Sequence, residues 1–293
     1  MKDGSSAVES IQDALDIWAE KLQTVQDLIL QDPLDTATSS TVQAGASNIA
    51  IPISSFIQTL NQSLIGVGIA LLVLMFYIGI FDTASSLAET KRPEFVFKLF
   101  VRVAVVGALV KGSYSLTRKI LNIFQSIVSI VAGSDLDSME KLTVPDQIVD
   151  AAANLSWFEK LGVSLISTLG SLAIIVAGFI IVLTVYGRIF KICMYMVISP
   201  IPIALLGSKK TAKYGEGFLK SFASVCIEAV IILLAIKIYY LICGSSISVP
   251  VFDEDASAQS MVWNYLATTV FNMLILVVII KTATTISKEI IGG

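Results

Sequence analysis

Glu228 is the side chain in this sequence that most demands a chemical explanation. It sits in Cys226-Ile227-Glu228-Ala229-Val230, inside an apolar stretch covering residues 222–242. An ionised group near the middle of a bilayer costs about 2.5–3.5 kcal/mol on insertion scales, so it must face protein or water and have a partner. Two pairs of basic residues are candidates. Arg188 and Lys191 close a long apolar run, and Lys98 and Arg102 share one helix face at i, i+4. Glu228 with such a partner makes either a structural ion pair or part of a polar conduit. A second cluster, Lys209, Lys210, Lys213 and Lys220, forms a basic loop. It suits a cytoplasmic anchor or a docking surface for anionic lipid, a cytoplasmic partner or phosphates. A third feature is Ser199-Pro200-Ile201-Pro202, where two prolines remove backbone donors from an apolar segment.

Other chemistry is poorly provided for. The chain has no histidine, the commonest general base and a frequent transition-metal ligand. Cys193, Cys226 and Cys243 are scattered without metal-ligand spacing and read as small core- or lipid-facing residues. Gly207-Ser208-Lys209-Lys210-Thr211 only superficially resembles a phosphate-binding loop, because Lys209 takes the place of the second glycine and no strand precedes it. No nucleophile–base constellation is present. The expectation is a protein that is not an enzyme and needs no cofactor or metal.

The elements that carry these residues are set by hydropathy. Residues 161–187 contain no Asp, Glu, Lys or Arg, and about 20 apolar residues span the ~30 Å hydrocarbon core. Further apolar blocks cover 64–81 and 256–280, and charged residues make up only 15% of the chain against about 25% in soluble domains. Mean hydropathy is +0.81. The fold class expected is all-α: a polytopic membrane protein with about five transmembrane helices, near residues 64–81, 95–114, 161–186, 222–242 and 261–280. Residues 192–206, short and broken by Pro200 and Pro202 after Ser199, are read as a re-entrant segment. Residues 95–132 admit a competing reading, a hairpin of two spans turning at 111–119. Asn272 is placed to hydrogen-bond between helices, and Lys237, beside Tyr239 and Tyr240, to anchor at an interface.

The first 35 residues are different. Ile11, Leu15, Trp18, Leu22, Val25 and Ile29 recur at spacings of four and three, and Ser6 with Glu9 fits a capping box. Lys2 and Lys21 face eight carboxylates, so the segment is too polar to span and is not read as a signal peptide. It is expected as an amphipathic acidic helix (1–35), followed by a linker and interfacial segment (36–62) and the membrane domain (63–293). The amphipathic helix packs either on its own membrane domain or on a partner.

Orientation follows from charge. With five spans, residues 1–62, 115–160 and 243–260 share one side, and 82–94, 187–191, 207–220 and 281–293 the other. The second side, with Lys98 and Arg102, holds 12 Lys and Arg; the first holds four, or seven with Lys111, Arg118 and Lys119. Lys and Arg in excess mark the cytoplasm, which puts the N-terminus outside and the C-terminus inside.

The run Tyr186-Gly-Arg-Ile-Phe-Lys-Ile-Cys-Met-Tyr-Met-Val-Ile-Ser-Pro-Ile-Pro-Ile-Ala, the loop 209–217, and Phe218-Leu-Lys-Ser-Phe-Ala-Ser-Val-Cys-Ile-Glu-Ala-Val-Ile-Ile are together distinctive. Across residues 94–240 the chain resembles the TrbL-like polytopic inner-membrane subunit of type IV secretion and conjugation systems, in the form carried by Gram-positive conjugative elements. The resemblance implies a five-span scaffold in the bacterial cytoplasmic (inner) membrane, assembled with other secretion-channel subunits and cytoplasmic ATPases and forming a homo-oligomer. It also implies a role in moving single-stranded DNA with relaxase, or protein, across that membrane. The chain is short for the wider family and is expected to lack an extended C-terminal domain. The alternatives are a small-solute transporter or permease, which calls for paired broken helices in two halves, and a pore-forming, holin-like protein.

Overall fold

The computed structural model of the chain describes residues 3–34, 53–85, 93–133, 144–153, 156–243 and 258–291. Most of the linker that begins at residue 36, the polar stretch 134–143, and the loop with Asp253, Glu254 and Asp255 lie outside the described residues, as do the side chains of Ser6 and Cys243. The described residues are all-α. In chain order they form α1 (Asp3–Leu30), α2 (Ile53–Ser85), α3 (Pro93–Lys111), α4 (Ser113–Ala132), α5 (Asp146–Ala153), α6 (Trp157–Ile198), α7 (Pro200–Ala204), a 3-10 turn (Leu205–Gly207), α8 (Ala212–Cys243) and α9 (Ala258–Ile291).

Among the described residues, four helices are long and apolar enough to cross a bilayer: Ile53–Phe81, Phe158–Ile198, Ala212–Leu241 and Gln259–Ile291. A fifth is made if Phe97–Lys111 and Ser113–Ala132, bent by 72°, count as one broken span. This is the architecture of a polytopic membrane protein. The bend falls at Gly112-Ser113, a pair that commonly kinks helices. Backbone bonds from Gly112 N to Ala108 O (3.0 Å) and from Leu116 N to Gly112 O (2.9 Å) carry the chain around it. At 72° the pair is far from an antiparallel hairpin. Beyond the bend α4 is amphipathic, burying Ser113, Thr117, Leu121 and Val128.

The span expected at 161–186 is part of one 42-residue helix, α6. Arg188 and Lys191 do not end it, because straight-chain basic residues are good helix formers. The expected re-entrant stretch 192–206 is accordingly divided. Its first part is the last turns of α6, and its second is α7 with the 3-10 turn.

The helices group into two compact units, and α4, α6, α8 and α9 contribute residues to both. The first unit draws on Met1–Leu30, Ile130–Tyr186 and Ile231–Thr285. In it the α1 stripe Ile11, Leu15, Trp18, Leu22, Val25 and Ile29 is fully buried. Part of its cover is α6, where Gly178 lies against the side chains of Trp18 and Lys21, and the Lys21 ammonium sits 5.6 Å from the Phe179 ring centroid. Gln12 Oε1 accepts a hydrogen bond from Val144 N (3.0 Å), just ahead of α5. The Lys237 ammonium donates to Val131 O (2.5 Å) and Ala132 O (3.1 Å), satisfying carbonyls at the C-terminal end of α4, where a cation is favoured.

The second unit draws on Gln31–Ser129, Gly187–Val230 and Ile286–Gly293. Its core includes two apolar clusters among the described residues. Ile192 and Met196 of α6 meet Phe222, Val225 and Cys226 of α8, with Leu34, Ile57 and Leu121. Leu72 of α2, Val106 and Val110 of α3, and Ile203 and Ala204 of α7 form the other. Arg118 of α4 forks onto Asp32, with Nη2–Oδ2 at 2.6 Å and Nη1–Oδ1 at 3.3 Å, which ties the segment after α1 to α4.

Helix α7 fits beside α2 because Gly68 faces it. A Cβ at Gly68 would stand 2.8 Å from the Pro200 carbonyl oxygen, a backbone atom that cannot swing away. Gly68→Val should therefore push α2 off α7 and destabilise the solubilised protein by about 1–3 kcal/mol, the usual cost of overpacking. A thermal melt in detergent checks this; a wild-type midpoint would mean the two backbones do not meet at that point.

Candidate functional site

The chemistry-bearing residues of the second unit gather around the interruption between α6 and α7. Pro200 has no N–H, so the i→i−4 bond it would have made to Met196 O is missing. A buried carbonyl without a donor costs about 1–3 kcal/mol. Two side chains fill the gap. Asn61 Nδ2, from α2, donates to Met196 O at 2.7 Å, and Ser199 Oγ donates to the same oxygen at 2.9 Å. Asn61 Nδ2 also donates to Ser199 Oγ (3.0 Å), and Ser113 Oγ, at the α3–α4 bend, donates to Asn61 Oδ1 (3.1 Å). Asn61, Ser113 and Ser199 are each 0% exposed. Thr117 Oγ1 donates to Ser113 O (3.0 Å) and Tyr114 O (3.0 Å) within the same knot.

The far end of the segment is held as closely. Arg102 Nε donates to Leu206 O at 2.9 Å, and Thr211 Oγ1 to Leu205 O at 2.7 Å. Gly215 of α8 meets this turn at close range, since a Cβ there would lie 2.8 Å from Pro202 O and 2.7 Å from Leu206 Cδ2. Ser208 then adopts an extended backbone, which lets the chain turn into α8. Lys209, Lys210, Lys213 and Lys220 are all exposed around this turn, together with Tyr214. Their charge is thus presented outward from a turn whose own backbone is fixed by Arg102 and Thr211.

Glu228 lies on α8, 1% exposed, and Arg188 on α6, also 1% exposed. The Glu228 carboxyl lies near enough to act electrostatically on the Arg188 guanidinium. Arg188 Nε donates to Val225 O at 3.1 Å, while its Nη1 makes no hydrogen bond among the described residues. One turn before Glu228, Ser224 Oγ shares a hydrogen bond of 3.1 Å with Ser287 Oγ of α9. Of the four basic residues considered for Glu228, then, the structure brings Arg188 into electrostatic interaction with it. It turns Arg102 to a carbonyl of the 3-10 turn and leaves Lys98 and Lys191 exposed. Among the described residues, no group of three or more carboxylates and thiols comes together to hold a metal ion.

Sequence reasoning passed over Asn61, Ser113 and the Arg118–Asp32 fork. A signal for Asn61 was present. A proline inside a helix orphans a carbonyl four residues earlier, and the search for its donor leads to a polar residue at the mouth of a neighbouring apolar block. No comparable local signal exists for Ser113, whose partner Asn61 is 52 residues away along the chain.

Comparison with curated proteins and with solved structures returns no match. A family model described as TrbL/VirB6 plasmid conjugal transfer protein matches residues 88–287, well over half of the chain. That span takes in the α3–α4 bend, the proline interruption, the basic turn and the Arg188–Glu228 pair. With helices that suit several membrane crossings and a family match of this extent, the chain belongs to the TrbL/VirB6 plasmid conjugal transfer family and is a multi-pass membrane component of conjugal transfer.

Proposed function

We infer that this chain is a non-enzymatic channel-scaffold subunit of a conjugative type IV secretion system in the bacterial cytoplasmic membrane. It helps single-stranded DNA with attached relaxase, or protein, to cross. Its apolar helices hold the scaffold in lipid, where α2, α6 and α9 expose large apolar side chains such as Phe81, Leu165, Leu183, Phe271 and Val278. It works with other secretion-channel subunits and cytoplasmic ATPases, which supply the energy, and with further copies of itself. The excess of Lys and Arg puts the basic turn and the C-terminus in the cytoplasm and the N-terminus outside.

The observation that carries the DNA-handling part of this reading is the basic turn. Lys209, Lys210 and Lys213 are exposed on a backbone held by Arg102 and Thr211, at one end of the α6–α8 helix pair. Lysines placed so screen phosphates of a passing strand without reading sequence. Replacing all three by glutamine should lower conjugation frequency by about tenfold or more, while the protein still inserts at wild-type level. The measurement is mating frequency in a deletion strain complemented with either gene, beside a membrane immunoblot. Deletion itself should abolish transfer without slowing growth. Full transfer by the triple variant would remove the turn from the cargo path, and full transfer by the deletion strain would remove the subunit from the machine.

A further inference from the structure

Two interruptions in the helices of the second unit, the Gly112 bend and the Ser199–Pro200 break, meet on a single side chain. Asn61 accepts from Ser113 beside the first and donates to Met196 O and Ser199 Oγ at the second. Its bond to Met196 O, together with that from Ser199 Oγ, stands in for a backbone donor that Pro200 cannot supply. From that point the chain runs through α7, seated against Gly68, to the 3-10 turn fixed by Arg102 and Thr211, and directly into Ser208 and the basic turn. The side chain is fully buried, and losing it leaves Met196 O to the Ser199 hydroxyl alone and takes from the Ser113 hydroxyl its acceptor on α2.

We propose that Asn61 is a positioning residue for the transfer site. It acts through α7 to hold the basic turn in place and couples that turn to the bend between α3 and α4. The proposal rests on the reading of the basic turn as part of the cargo path. Asn61 touches no cargo and does no chemistry. It shares with Ser199 the place of one missing backbone donor, and through that place it ties the proline break to a distant helix.

The vacancy supplies a specific test. Pro200→Ala returns an N–H to position 200, so Met196 O no longer needs Asn61. Ser208 is 4% exposed and reports on the seat of the turn. A chain with Ser208→Cys as its sole cysteine (Cys193, Cys226 and Cys243 replaced by alanine) is labelled with a maleimide in isolated membranes, and mating frequency is measured in parallel. Asn61→Ala should speed labelling and lower transfer, each by about tenfold. Adding Pro200→Ala to Asn61→Ala should return labelling to the slow rate, which a general loosening of the core would not do. If Asn61→Ala is not recovered in membranes, Ser113→Ala takes its place. It removes only the hydroxyl that orients the amide, and about threefold faster labelling is expected. Labelling at the parent rate in the variant overturns the positioning role, whatever transfer does. Fast labelling that Pro200→Ala does not reverse overturns the donor-replacement argument. Fast labelling with undiminished transfer leaves the latch in place and overturns the basic turn as a cargo element.

Discussion

Arg188→Leu should sharply reduce the amount of folded protein in the membrane. Both Arg188 and Glu228 are buried to 1% exposure, and the guanidinium donates to Val225 O and interacts electrostatically with Glu228. Removing one side of a buried charge pair costs about 3–5 kcal/mol, because the remaining charge stays desolvated without its counter-charge. Glu228→Leu should do the same from the other side, where the loss also strands Arg188, whose Nη1 already makes no hydrogen bond among the described residues. The pair replaced together, Arg188→Leu with Glu228→Leu, should recover much of the lost yield, since an apolar pair of similar volume is often neutral or better. Detergent-extracted yield and a thermal melt of the four proteins settle the architecture. Mating frequency of the double variant then separates the two roles. Recovered transfer makes the pair structural; recovered folding without transfer assigns it to the polar conduit. Wild-type yield from both single variants would sink the buried-pair argument altogether.

Trp18→Ala should detach α1. Trp18 is 1% exposed, and Gly178 of α6 lies within 3.5 Å of its ring once a Cβ is considered. Truncating a buried tryptophan costs about 3–5 kcal/mol, partly in lost transfer energy and partly in the cavity left behind. The rest of the helix gives little to resist this. Its outer face is a line of carboxylates, with Glu9, Asp13, Asp16, Glu20 and Asp27 all exposed, and an isolated helix of this kind is marginal in water. The expected result is rapid proteolysis of the N-terminal segment with the remaining spans still in the membrane. Trp18→Phe, which keeps most of the apolar volume, should be far milder. Equal protease resistance for Trp18→Ala and the parent would show that the stripe does not depend on that contact.

The membrane architecture was open to sequence reasoning because it depends on averages. An apolar block such as 161–187 keeps its meaning whatever its neighbours do, since backbone groups in lipid must bond within their own helix. The α1 stripe is legible for a related reason, a helical period that six apolar residues keep. The family match over residues 88–287 includes the local strings, from Tyr186 to Ala204 and from Phe218 to Ile232, that stand out on first reading.

Pairings were not legible in this way. By the sequence, Arg188 and Lys191, at the depth of Glu228, and Lys98 and Arg102, on one helix face, are all candidates to pair with it. Arg188 differs because of the rotation of α6 against α8, which brings its guanidinium to Val225 O, whereas α3 turns Arg102 toward Leu206 O. Helix continuity was also a matter of context. Residues 187–198 extend α6 because Ile192 and Met196 pack into the core with Phe222 and Cys226. The break waits for Pro200, where the chain itself runs out of donors. The sequence by itself determined which segments are helical and apolar, where a proline deletes a hydrogen bond, and to which family the chain belongs. Only the tertiary structure decided which groups answer those needs. A hydrogen bond is won or lost within an ångström, and the register that places Asn61 beside Met196, 135 residues along the chain, is set by the packing of whole helices.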